Sequence, residues 1–358
     1  MKAMKKEENK TGIFPAFPVN IADYPVDLHS HSVRSDGADT PRELIDRAAA
    51  RGVKVLAITD HDIRPPQEIT VRKSGNADEE EFSMDAVDYA WSRGLHLLRG
   101  IEISCETTAE DCHIVCLGCD WTDPFFDELE KSVAESKIGS YRELVRRLAA
   151  DGMTMTWEEV LDNGGNPVQE DQVQKKMIFE LIARKGYQKD WSAAKLMVKN
   201  TPAYQILREK PDPVKVIHEV HRCGGIAIMA HPYLVNEPVS LPGGTMDRAA
   251  YIERLIAEGL DGIEACYPYA KTSYGGTLTP QQIEEEVRAR YEGRLAIISG
   301  GSDYHADYRK GVSPEKARDV GECGITVEYF EQNALLQKIL QKNLPSGTPL
   351  SKDLPFLL

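Results

Sequence analysis

The chain has 358 residues, 41% of them hydrophobic, and its 43 Lys and Arg against 57 Asp and Glu leave a formal net charge of −14. That length suits one large catalytic domain with an elaboration, or two domains, around a well-buried core, and no apolar run approaches the roughly 20 residues needed to span a bilayer. The acidic balance disfavours extended contact with a nucleic-acid backbone, which Lys and Arg hold by counterion release, but small phosphorylated substrates stay open because bound divalent cations reverse the charge locally.

Residues 1–20 mix Lys2, Lys5 and Lys6 with Glu7 and Glu8 and contain no continuous apolar stretch. They read as a loose tail rather than a signal peptide. Seven scattered cysteines, an odd number, fit free thiols in a reducing compartment, so the expected location is cytoplasmic. Short β-branched runs then recur at 26–31, 53–61, 96–104 and 113–118, and again at 226–231, 262–267 and 295–300. Thr40, with Pro41 next and Glu43 three residues on, forms a capping box that opens a helix through Arg51, stopped by Gly52. Strands alternating with helices predict a parallel sheet or a barrel.

Between Trp121 and Asp212 the β signal fades, and helical patterns at 141–151 and 175–185 end at Gly152 and Gly186. This stretch reads as an inserted helical cap. The expected organisation is therefore a tail (1–20), a discontinuous barrel (21–120 and 211–330), a cap (121–210) and a C-terminal extension (331–358). That extension opens with a helix over 333–342 and trails off in a Pro-containing segment.

Histidines and acids fall at the ends of these runs. Asp27-Leu28-His29-Ser30-His31 ends the first, Asp36-Gly37 follows it, and Thr59-Asp60-His61-Asp62 ends the second. Glu102 lies in the third, His113 in the fourth, His231 ends the fifth, Glu264 lies in the sixth, and Asp303-Tyr304-His305 follows the seventh. In β/α barrels the catalytic groups converge from strand ends on one mouth, and residues two apart on a strand share a face. Imidazoles and carboxylates without thiolates suit Zn, Mn or Fe. Nine candidates, His29, His31, Asp36, His61, Glu102, His113, His231, Asp303 and His305, exceed one ion and suit two or three.

The order HSH, DG, TDHD, GIE, H, AHP and GSDYH resembles the polymerase and histidinol phosphatase (PHP) superfamily, in particular its stand-alone phosphoesterases, from about Val26 to His305. The resemblance implies a distorted (β/α)7 TIM-like barrel, an α/β fold, with a trinuclear metal site. It places His29, His31, Glu102 and Asp303 on one ion, Glu102 as a bridge with His113 and His231 on a second, and Asp36, His61 and His305 on a third.

Other candidates read differently. Glu264 is expected to contact a ligand or substrate rather than a metal, and Asp60 and Asp62 to orient ligands by hydrogen bonds. His96 lies outside the pattern, and His218 and His221, three apart, do not form the His-Glu-x-x-His zinc motif. Cys112, Cys116 and Cys119 have the spacing of an iron-sulfur motif, but on a strand Cys112 and Cys116 would stand about 13 Å apart at ~3.3 Å per residue, so they read as buried thiols.

The expected chemistry is hydrolysis of a phosphate ester by a hydroxide held between the ions, with Glu102 bridging and His231 or Asp303 as proton donor. The expected partner is a small phosphorylated metabolite, with no long nucleic acid and no membrane. Lys137 and Arg142 on the first cap segment, Lys175 or Lys176 on the second, and Tyr267, Lys271 and Arg309 near strand ends are the candidate substrate contacts. Related proteins open the second cap helix with an Arg and a His two residues later, where this chain has Lys175 and Met177. That departure tilts the expectation toward a phosphorylated ribose such as 5-phosphoribose 1,2-cyclic phosphate. Hydrolysis of a nucleoside 3′,5′-bisphosphate or trimming of short RNA from its 5′ end are the alternatives, ahead of an amide hydrolase or a non-catalytic metal-binding module.

Overall fold

The computed structural model describes residues 21–72, 81–106 and 108–347, so the predicted tail and the end of the trailing segment lie outside the described residues. Seven strands, β1 (Val26–Asp27), β2 (Val55–Ile58), β3 (His96–Ser104), β4 (His113–Leu117), β5 (Ile226–Met229), β6 (Gly262–Cys266) and β7 (Ile297–Gly300), pair in chain order into one sheet. The sheet curls until its edges meet: Leu28 N donates to Gly300 O (3.3 Å), Asp303 N to His29 O (2.9 Å) and His31 N to Tyr304 O (2.8 Å). The result is the distorted seven-stranded barrel. The close approach at this seam needs a glycine, since a Cβ on Gly301 would stand 2.3 Å from the Cβ of His29.

One feature departs from an all-parallel sheet. β4 runs antiparallel to both β3 and β5, because the few residues between Ser104 and His113 are too short for a crossover helix. The reversal has a functional consequence. His113 pairs with Ser104, so the first residue of β4 arrives at the mouth where the other strands end.

The helix Pro41–Ala50 opens as expected, with Glu43 N donating to Thr40 Oγ1 (3.2 Å) and Thr40 N to the Glu43 carboxylate (2.8 Å), and it buries Leu44, Ile45 and Ala48. Inside the barrel Val55, Ala57, Leu98, Val115, Ile228 and Ile297 form an apolar core. The C-terminal helices Val327–Gln332 and Ala334–Gln341 add Phe330, Leu336, Ile339 and Leu340 to that core. Each fully buried side chain of this size stabilises by about 1.5–3 kcal/mol, so these two helices are part of the barrel's packing.

In the insertion, the helix predicted over 141–151 is the last part of a single helix, Pro124–Ala150, about 40 Å long at ~1.5 Å per residue. Its start packs Phe126 and Leu129 on the barrel. Its end joins helices Trp157–Asp162, Lys175–Arg184 and Trp191–Asn200 around a separate cluster that includes Leu148, Trp157, Ile178 and Val198. Among the described residues no helix is long and apolar enough to cross a membrane.

Candidate metal centre

Every strand end delivers a side chain to one point. Glu102, fully buried on β3, lies at the centre: its Oε2 stands 3.1 Å from His29 Nε2, 3.2 Å from His31 Nε2 and 3.1 Å from His61 Nδ1. Its Oε1 faces the other way, 3.0 Å from His113 Nδ1 and 2.9 Å from His231 Nε2. Asp303 Oδ1 is 3.1 Å from His31 Nε2, and His305 Nε2 is 3.0 Å from Asp36 Oδ1. Two of these residues, His231 (φ 26°) and Asp303 (φ 48°), hold left-handed backbone conformations, a strain that the surrounding fold must over-determine.

Neighbouring groups set the tautomers. A carboxylate or carbonyl oxygen can only accept, so His29 Nδ1 donates to Glu264 (2.9 Å) and His305 Nδ1 donates to Asp303 O (2.7 Å). In its neutral form each ring then presents the Nε2 lone pair inward. Burial disfavours protonation of His29, but Glu102, Glu264 and Asp303 outweigh it and hold the imidazole well above its usual range. His231 is likewise raised against burial, chiefly by Glu102, and His31 by Asp303 and Glu102 against burial and His61. Burial pushes the carboxyls of Glu102 and Asp303 up, yet His61, His29 and His113 draw the first, and His305, Arg318 and His29 the second, well below the carboxylate range.

This donor set fits divalent ions. Among the described residues His31 Nδ1, His61 Nδ1, His231 Nδ1 and Glu102 Oε2 are buried without a hydrogen-bond partner, although His61 Nδ1 and Glu102 Oε2 are near neighbours. Metal bonds of about 2.1 Å at tetrahedral or octahedral angles put two ligands roughly 3.0–3.4 Å apart, which is the spacing of the Glu102 contacts. Three groups have ligand atoms close enough to share an ion: His29, His31, Glu102 and Asp303; His31, Asp36, His61 and His305; and His61, Glu102 and His113. The first is the predicted set. The other two differ from expectation: His31 joins Asp36, His61 and His305, and His61 takes the place of His231 beside Glu102 and His113, so that His231 meets Glu102 Oε1 but falls in none of the three groups.

The PHP domain model matches residues 27–200. A 3′,5′-nucleoside bisphosphate phosphatase from Chromobacterium violaceum is 30% identical over 303 residues, covering 83% of this chain and 90% of that protein. The chain belongs to the PHP family. A 5′-3′ exoribonuclease from Haemophilus influenzae is 30% identical over 211 residues, 59% of this chain and 69% of that one. The crystal structure of a candidate metal-dependent phosphoesterase from Bifidobacterium adolescentis has the same fold, with a TM-score of 0.58 and 24% identity over 91% of this chain and 99% of that one. As a PHP protein, the chain is a metal-dependent phosphoric ester hydrolase.

Around the PHP centre the sequence-predicted substrate contacts divide. Lys137 lines a cavity of about 690 Å³ that also reaches Asp36, His61, His113 and Arg208. Lys175 opens its helix close enough to Arg208 to feel it: burial and then Arg208 lower both lysine ammonium groups. Tyr267 lines an adjoining cavity of about 470 Å³, but its hydroxyl is donated to Asp303 Oδ2 at 2.6 Å. Lys271 lines the same cavity with its ammonium held by Glu322 and Ala317 O. Arg142 and Arg309 line neither cavity. Arg142 pairs with Glu170 (2.6 Å) over the Trp157 ring, and Arg309 with Asp39 (2.8 Å) and Glu43 (3.0 Å).

Other residues are placed as follows. Glu264 supports His29 and also accepts from His231 N (2.6 Å). Asp60 binds Ser32 N and Oγ, and Asp62 binds Ser104 N, so both brace the mouth loops rather than a ligand ring. His218 and His221 sit on the outer helix Pro213–Arg222, paired with Glu258 and Asp261, and His96 packs beside Trp91. Cys112, Cys116 and Cys119 lie in the apolar core; burial pushes the Cys112 thiol up to about 12. Among the cations that the sequence reading did not single out are Arg208 in the 690 Å³ cavity and Arg318 at Asp303. No spacing marks either one, since both arrive on irregular segments.

Proposed function

We propose that the chain hydrolyses a phosphate ester of a ribose that carries a second phosphate, with the scissile phosphoryl group at the His/Asp/Glu centre and the second phosphate on the cap. The observation that carries this reading is the cluster of Lys137, Lys175 and Arg208. Among the described residues neither Lys137 nor Arg208 has a carboxylate partner, and each lysine is disfavoured as a cation by burial and by Arg208. An anion between Lys137 and Arg208 would relieve that repulsion and accept charge-assisted hydrogen bonds from both. The cavity that joins Lys137 and Arg208 to His61 and His113 is about 690 Å³, within the range that holds a small ligand.

His29, His31, Glu102, Asp303 and their neighbours would hold divalent ions, which would supply an ionised water at neutral pH and offset charge on the phosphoryl group. The chain's own contribution is placement. Glu264 fixes the tautomer of His29, His305 is fixed by a backbone carbonyl, and the cap cations set how far the ester sits from its second phosphate. Both 5-phosphoribose 1,2-cyclic phosphate and a nucleoside 3′,5′-bisphosphate have this two-phosphate layout.

The test is hydrolysis by the manganese-supplemented protein, with substrates and products separated by chromatography, of those two compounds, of adenosine 3′-monophosphate and of a short 5′-phosphorylated RNA. Turnover of a two-phosphate compound with kcat/KM at least tenfold above the monophosphate is expected. Equal turnover of the monophosphate, or a preference for RNA, would overturn the reading.

A further inference from the structure

Asp303 is used on both sides. Its Oδ1 faces the inner histidines, 3.1 Å from His31 Nε2 and 3.6 Å from His29 Nε2. Its Oδ2 receives the Tyr267 hydroxyl at 2.6 Å and the Arg318 guanidinium at 2.6 Å. Arg318 cannot drift, because its Nε and Nη2 grip the buried Asp307 at 2.8 and 3.2 Å and its own backbone N–H donates to the same carboxylate at 3.2 Å. Tyr267 is fully enclosed, directly after β6, and Arg318 lines the 470 Å³ cavity beside it.

We propose that Tyr267 and Arg318 act as a clamp that makes Asp303 a one-oxygen ligand: by occupying Oδ2 they leave Oδ1 alone to face the metal centre. The inference rests on the metal-centre reading above and goes beyond it in assigning these two positioning residues. A carboxylate free to rotate offers both oxygens to an ion, or swings its charge toward the cavity where the phosphoryl group must enter. Two donors on one oxygen prevent either movement, and the fork of a guanidinium can hold Asp303 and Asp307 at once, which an ammonium cannot reproduce. The left-handed backbone at Asp303 (φ 48°) shows the same over-determination.

The experiment measures Mn²⁺ binding by calorimetry, with kinetics alongside, on wild type, Tyr267→Phe, Arg318→Lys and Arg318→Ala. Tyr267→Phe removes one donor and adds no bulk; it is expected to weaken Mn²⁺ binding three- to tenfold. Arg318→Ala is expected to weaken it at least thirtyfold, with activity partly regained in excess Mn²⁺, a recovery that general structural damage would not give. Arg318→Lys is expected to fall between wild type and Arg318→Ala. Should Arg318→Ala fail to fold, Tyr267→Phe decides by itself. Isotherms for Tyr267→Phe and Arg318→Lys within twofold of wild type would overturn the clamp while leaving the metal centre standing. A wild-type protein that binds no Mn²⁺, Fe²⁺ or Zn²⁺ would overturn both.

Discussion

Glu264 accepts a hydrogen bond from His29 Nδ1 at 2.9 Å and thereby determines that the other nitrogen of the ring faces Glu102 and His31. The same carboxylate accepts from the backbone N–H of His231, the residue held at φ 26°. One side chain on β6 therefore orients two ligands from two other strands. Loss of such a supporting contact typically costs 10- to 100-fold in metal affinity. Glu264→Gln is expected to fall in that range, measured by competition with a chelator, while its far-UV circular dichroism stays that of wild type.

Glu102 is the only carboxylate among the described residues whose two oxygens face separate histidine sets, His29, His31 and His61 on one side, His113 and His231 on the other. Glu102→Gln keeps the shape and removes the charge. A drop in kcat of roughly 10²–10³, the scale for deleting a principal electrostatic contact, is expected, together with fewer bound ions by elemental analysis. Full activity with full metal content would contradict the bridging arrangement.

Truncating the cap cations separates binding from chemistry. In Lys137→Ala and Arg208→Ala each lost contact to a phosphate is worth about 1.5–3 kcal/mol, so KM for the two-phosphate substrate should rise about tenfold or more with kcat little changed. The same variants acting on a monophosphate should show almost no change. An equal effect on both substrates would mean that the cluster does not read the second phosphate.

Acid should empty the centre. Without metal, His29, His31 and His231 hold protons above the usual imidazole range because Glu102, Glu264 and Asp303 surround them. Ion binding needs the neutral ring, so it must expel those protons, and affinity rises with pH through the histidine range and above it. The stability sign follows from linkage. In metal-free protein a raised histidine contributes stability that is complete below the unfolded-state value of about 6.5 and is lost as pH climbs through the folded-state value. Calorimetry near pH 7 in buffers of different ionisation enthalpy should show more than one proton released per protein on metal binding. Melting of metal-free protein should fall with rising pH, and melting of the loaded protein should not.

The segment that carries Arg318 is anchored by a partly buried ion cluster whose loss should read out in stability. Asp319 joins two buried arginines, Arg47 at 2.7 and 2.8 Å and Arg51 at 2.8 Å, tying the first barrel helix to the segment that carries Arg318. Removing one partner of a buried pair strands charge at a cost of 3–5 kcal/mol as an order of magnitude; Asp319 is itself partly exposed, so Asp319→Ala is expected near about 3 kcal/mol. Denaturant melts of the metal-free protein would show it as a lower midpoint with an unchanged slope.

By itself the sequence located the seven strand segments, the capping box at Thr40 and the helical stretches at 141–151 and 175–185, and it marked nine candidate ligands at the ends of runs, because each rests on local information: periodicity, turn residues and position along a run. The seven strand segments lie where the β-branched runs are, and His29 with His31 share a face because residues two apart must. What the tertiary structure decided is which residues meet. The reversal of β4 brings His113 to the mouth from the start of its strand, and it follows from a connection length rather than from any property of His113. Of the long cations, all alike in sequence, Arg142 and Arg309 found carboxylate partners elsewhere while Lys137 and Arg208 were left facing the cavity. Arg318 reaches Asp303 from fifteen residues away along an irregular segment. A flexible charged side chain is committed by its three-dimensional neighbours, and that choice leaves no periodic trace in the chain.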